Sequence, residues 1–181
     1  MKPRPRINPL VGLLVAVLVA ALAATCSGRD SADEPSEAET FKAEMDTEAA
    51  RLLPDLMDAV GGRLGGMQAT YYERGGFGIW DYTASGGIVD TAASTTDSLA
   101  ASAAVLAHHG YAVETDDEQR RVRGDKGEIV VLVGASLLKG EATGLNISMG
   151  NLGTVSEGDD YAENAPPADY LAFVDPQHAS R

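Results

Sequence analysis

The sequence predicts an α+β domain: an antiparallel sheet of about five strands with two helices packed on one face. Two observations predict it. Beyond the first 40 residues, apolar residues recur at helical spacing in two separate stretches, and the apolar runs between Met67 and Met149 outside them are short, β-rich and mostly bounded by glycine. A hairpin signal, Gly124-Asp125-Lys126-Gly127, joins two of those runs directly and so favours antiparallel pairing.

The first helical stretch carries Ala49, Leu52, Leu53, Leu56, Met57, Val60 and Leu64 along one stripe, with Glu48, Arg51, Asp55, Asp58 and Arg63 mostly opposite. Asp46 or Thr47 is the expected N-cap. Pro54 should kink or split this helix, because it lacks the amide that would donate one turn back. Gly61, Gly62, Gly65 and Gly66 are read as its stop. The polar face of this helix is not basic, so a sheet is a better partner for it than a membrane surface.

Met67 to Val89 reads as two strands separated by Gly75-Gly76 and closed by Gly86-Gly87. Tyr71, Tyr72, Phe77, Trp80 and Tyr82 fall here, five of the chain's ten aromatic residues, and form the expected ligand surface if the fold exposes them. Burial of alternate members in ordinary sheet packing is the competing reading.

The second helix follows Ser94-Thr95-Thr96-Asp97 and places Leu99, Ala103 and Leu106 on one stripe before Gly110. His108 and His109 close it. Adjacent helical positions diverge by about 100°, so this pair favours a structural or capping role over chelation of one metal. A meander follows. In its central strand Ile129, Val131 and Val133 share one face and Val130 and Leu132 the other, which predicts a strand covered on both sides. Leu145, Ile147 and Met149 point inward from the last strand. Arg120, Arg121 and Arg123 concentrate positive charge and are read as cross-strand salt links, with an anion site as the alternative.

The flanking segments bear on location. Lys2, Arg4 and Arg6 precede an apolar run from Leu10 to Thr25, the layout of an export leader. The run is shorter than the roughly 20 residues that span a bilayer core. Three fates compete: an uncleaved anchor, ordinary cleavage after Ala21-Leu22-Ala23 to give a soluble secreted protein, or lipidation. Leu22-Ala23-Ala24-Thr25-Cys26 resembles the lipobox of bacterial lipoproteins, although Ala23 and Thr25 stand where the pattern usually has Leu and Gly or Ala. That resemblance implies a diacylglycerol thioether on Cys26, the single cysteine in the sequence. The expected organisation is a signal peptide over 1–25, an acidic disordered tether over 26–40, the α+β domain over 41–152 and an acidic, largely flexible tail over 153–181. Pro166 to Val174 is expected to dock back as a short turn or to act as an adhesive motif.

The order helix, two strands, helix, three strands, with the Gly110-Tyr111 exit and the RVRGDKGEIVVLV hairpin, is similar to small lipoproteins of high-GC Gram-positive bacteria that join a lipid leader, an acidic spacer and one α+β domain. The resemblance implies a protein on the outer face of the cell membrane, held through lipid on Cys26.

Charge narrows the partners. The leader holds three of the fourteen basic residues and none of the 27 acidic ones, so a product starting at Cys26 has a formal charge of −16. Such a surface repels nucleic acid and anionic lipid headgroups. The sequence contains no G-x-S-x-G elbow, Walker loop, H-E-x-x-H or paired cysteine ligands, so it names no catalytic residue, metal or cofactor. Glu157, Asp159, Asp160 and Glu163 lack the ligand spacing of an EF-hand. Two functional classes stay open: a binding module at the cell envelope, with a protein or small-ligand partner, and a hydrolase built from Ser or Asp residues that folding brings together.

Overall fold

The computed structural model describes residues 35–75, 78–138, 141–151 and 160–175. Their order is α1 (Glu37–Val60), β1 (Arg63–Glu73), β2 (Trp80–Val89), α2 (Thr95–His108), β3 (Ala112–Asp116), β4 (Arg121–Lys126), β5 (Ile129–Leu138), β6 (Glu141–Asn151), α3 (Asp160–Asn164), β7 (Ala168–Asp169) and α4 (Leu171–Val174). The class is α+β, but the sheet has seven strands instead of five and the described residues include four helices instead of two. All pairings are antiparallel, in the order β3-β4-β5-β6-β2-β1-β7.

Helix α1 is the main cover of the sheet. It starts at Glu37, not near Asp46, because Ser36 is the N-cap and its hydroxyl accepts from the Glu39 amide at 3.1 Å. Ser36-x-x-Glu39 is a capping-box spacing inside a segment whose acidic composition alone suggested a tether. Ala38, Phe41 and Met45 extend the buried stripe by about three turns beyond Ala49, so the domain includes residues assigned above to the spacer. Pro54 lies within a continuous helix. The apolar stripe is pressed on the sheet both before and after it, through Leu52 and Leu53 on one side and Leu56 and Met57 on the other. Gly61 ends the helix in the left-handed conformation, φ 63°, donating to the Met57 carbonyl at 3.0 Å.

The glycine pairs at 65–66 and 86–87 do not mark ends. Gly65 and Gly66 lie inside β1 at a register shift between Leu64 and Met67, and Gly86 and Gly87 lie inside β2 opposite it. A Cβ on Gly86 would stand 2.3 Å from the Gly66 carbonyl oxygen, so only glycine lets the two strands close around this bulge.

Helix α2 is capped by Ser94, whose hydroxyl accepts from the Asp97 amide. It is seated through Ser98, Ser102 and Leu106, whereas Leu99 and Ala103 of the expected stripe are only half-buried. The Ser102 hydroxyl donates to the Ser98 carbonyl at 2.8 Å, so serine sits at the contact with its polar group turned back on the helix.

The sheet buries Leu64, Met67 and Ala69 from β1, Ala84 and Ile88 from β2, Ile129, Val131 and Val133 from β5, and Leu145, Ile147 and Met149 from β6 against these helices. Its other face is uncovered by helices and carries Thr70, Tyr72, Thr83, Ser85, Asn146 and Ser148. Val130 and Leu132, expected to be covered, are half-buried on that open face. Residues 160–175 are also part of the packed unit and not a free tail: β7 pairs with β1, the Tyr170 amide donates to the Met67 carbonyl, and the Tyr170 side chain is fully buried. Cys26, Glu157 and Asp159 lie outside the described residues.

Replacing the fully buried Leu52 by alanine is expected to cost about 2–5 kcal/mol, whereas Leu137→Ala, at a side chain 55% exposed, should stay within about 0.5 kcal/mol. Urea denaturation of the two variants beside the parent measures both. Equal losses would contradict the assigned core.

Candidate functional site

The five-aromatic surface does not form. Alternation along a strand sends Tyr71 and Tyr82 inward, where their rings pack with centroids 4.6 Å apart. Trp80 is half-buried on that same inner side, and Phe77 lies outside the described residues. Only Tyr72 is presented outward, 60% exposed beside the Arg74–Asp81 ion pair.

What the fold assembles from these residues is a buried polar centre. Asp46, half-way along the inner edge of α1, accepts from the Tyr82 hydroxyl at 3.1 Å and from the Tyr170 hydroxyl at 2.7 Å, both on Oδ1. Lys42, one turn earlier, pairs with Oδ2 and lies over the Tyr82 ring. Burial, reinforced by the Asp46 carboxylate, pushes both phenols far above the ordinary tyrosine range, so they remain hydrogen-bond donors. The Tyr71 hydroxyl donates to the Ala38 carbonyl at 2.6 Å. Sequence reading missed Asp46 as a receiver because it was assigned to a cap, and missed Tyr170 because its partner is 124 residues away.

A second polar pair lies on the other flank of α1. Glu48, on α1, is 7% exposed and accepts from Lys126 of β4 at 2.8 Å, with Arg51 at 3.8 Å. Lys126 also lies 5.3 Å from the centre of the Tyr111 ring. Burial, with Glu48 beside it, raises Tyr111 as well, and its hydroxyl has no hydrogen-bond partner among the described residues. Tyr111 and Leu106 fill the space above Gly124, so α2 and its exit cover the middle of β4 but not its far end.

At that far end lies an open cleft of about 700 Å³ between α1 and the β4–β5 turn. Its walls are Pro35, Thr40, Ala43 and Thr47 on one side and Gly127 and Ile129 on the other, with Glu39, Glu44, Glu48 and Glu128 around them. Two further depressions are present. One, about 440 Å³, contains Arg120 and Arg121 together with Asp116 and Asp117. Arg121 and Arg123 are drawn to carboxylates: Arg121 faces its cross-strand neighbour Asp116 at 3.4 Å, and Arg123 holds Asp125 through three hydrogen bonds, keeping that carboxyl below its usual range. The other, about 610 Å³, runs between α1 and α2 past Asp55, Asp58 and His108. His109 turns away from His108 and meets Asp55 at 2.8 Å, so the histidine pair caps and ties helices as its spacing implied. Among the described residues no three His, Cys, Asp or Glu side chains converge as metal ligands, and no helix is long and apolar enough to cross a membrane.

Comparison with protein-family models, curated proteins and solved structures returned no match.

The buried phenols set an alkaline limit. Their folded values lie above the value of about 10 that they regain on unfolding, so the unfolded chain releases protons first as pH rises. Stability should be unaffected by these groups below pH 10 and fall above it, by about 1.4 kcal/mol per pH unit for each fully retained proton. Denaturation between pH 9 and 11.5 checks this; Tyr170→Phe should flatten the decline, and an unchanged slope would overturn the assignment.

Proposed function

We propose that the protein is a lipid-anchored binding module on the extracytoplasmic face of the cell membrane. The observation that carries this reading is the order of features in the chain: a basic-apolar export leader, a single cysteine at its end, a short acidic segment and then an α+β domain. A sole thiol in that position is accounted for as an attachment point, whereas a pairing role would need a second cysteine. Two or three acyl chains, each stabilised on transfer by about 0.8 kcal/mol per buried CH₂, hold a protein durably where one chain would not.

The site geometry supports binding over hydrolysis. Two buried tyrosines, Tyr82 and Tyr170, are held as donors to a single carboxylate, and the cleft beside the β4–β5 turn is walled by threonine, alanine and isoleucine with carboxylates at its margin. No serine, histidine or cysteine lines that cleft, and its one lysine is held by Glu48 at 2.8 Å. The partner is a protein or small ligand of the envelope that meets this surface.

Expression with the native leader in a Gram-positive bacterial host, followed by intact mass and detergent-phase partition, tests the anchor. Wild type should carry a diacylglyceryl increment and enter the detergent phase, and Cys26→Ala should lose both. An unmodified product beginning near Ala24 in the medium would replace this reading with that of a secreted protein.

A further inference from the structure

We infer that the cleft between α1 and the β4–β5 turn is a docking groove for a basic amphipathic peptide segment of another envelope protein; this takes from the proposed function only its setting outside the cytoplasm.

Three observations converge on that ligand class. The groove exists because α2 stops at His109, leaving the Lys126–Ile129 end of the hairpin with α1 alone beside it. Its floor is apolar or weakly polar: Ala43 and Thr47 face Ile129 across it, a surface suited to one row of aliphatic side chains. Its margin is anionic. Glu39 and Glu44 flank α1 and Glu128 stands at the turn, all three exposed, while Lys126, the sole cation of the lining, is already held by Glu48 at 2.8 Å.

The dimensions and charge select a peptide. At 1.5 Å per residue the α1 wall from Glu39 to Glu48 is about 14 Å long, enough to lie alongside about two and a half turns of a second helix. A ligand helix with aliphatic residues at i, i+3 and i+4 and Lys or Arg on its flanks would bury the former on Ala43 and Ile129 and set the latter against the three glutamates. Anionic lipid headgroups are repelled by the same margin. A second copy of this acidic chain is repelled too.

The test uses the full mature chain in detergent and a short fluorescein-labelled peptide of lysine and leucine at helical spacing, with fluorescence anisotropy as the readout. Saturable binding that weakens with salt is expected. Glu44→Gln with Glu128→Gln should weaken it about fivefold to tenfold, the effect of removing two exposed charge pairs. Ala43→Lys, which puts a cation on the floor, should abolish it. Asp117→Asn with Glu118→Gln, at the opposite end of β4, should leave it unchanged. Equal weakening by that distant pair would mean diffuse attraction to an acidic surface and would overturn the groove, as would failure to bind or indifference to Ala43→Lys. Because the mass of the same preparation reports Cys26 separately, loss of the anchor reading and loss of the groove are distinguishable outcomes.

Discussion

Asp46 is the point at which three distant parts of the chain are made to agree. Its carboxylate takes Tyr82 from the middle of the sheet and Tyr170 from the C-terminal segment, and it holds Lys42 from its own helix. Each phenol would be costly to bury alone, since an unsatisfied hydroxyl costs about 1–3 kcal/mol. Sharing one acceptor removes that cost for both and fixes where α1 lies on β2. Phe41 closes the arrangement edge-on to Tyr82 at 6.4 Å. A purely apolar contact of equal area would allow the helix to slide by a fraction of a turn; a carboxylate with two directional donors does not.

The same helix carries two carboxylates with different duties. Asp46 faces inward and meets two phenols together with Lys42 of its own helix, whereas Glu48, two positions on, points to the other flank and meets a cation from the hairpin. Positions two apart on a helix diverge by about 200°, so the sequence Asp-Thr-Glu places one acid in each wall of α1. The domain therefore uses some of its many acids as structure and leaves the rest at the surface, where their mutual repulsion favours solubility over self-association.

Much of the architecture was legible in the chain. The 3–4 periodicity from Ala49 to Val60, the Ser94 cap and the inward alternation of Leu145, Ile147 and Met149 follow from local rules, and the structure obeys them. The failures have a common cause in long-range contacts. Ser36-x-x-Glu39 was hidden by acidic composition, because composition does not register that Ala38 and Phe41 have a core to enter. Gly86 read as a terminator until Gly66 came opposite it. Strand alternation divides the aromatic cluster, as ordinary sheet packing requires, but neither Tyr170 nor Lys126 shows in sequence which carboxylate it will meet.

The two borders of the sheet are finished differently. At one, β7 adds only Ala168 and Asp169, directly after Pro166 and Pro167, which have no amide to offer a further strand. At the other, β3 is five residues long and turns Glu114 and Asp116 outward. A second molecule approaching that border edge-on would bring its own carboxylates against these, so strand addition between copies is opposed on both sides. Such borders keep each domain separate and its helical side available at high local protein density.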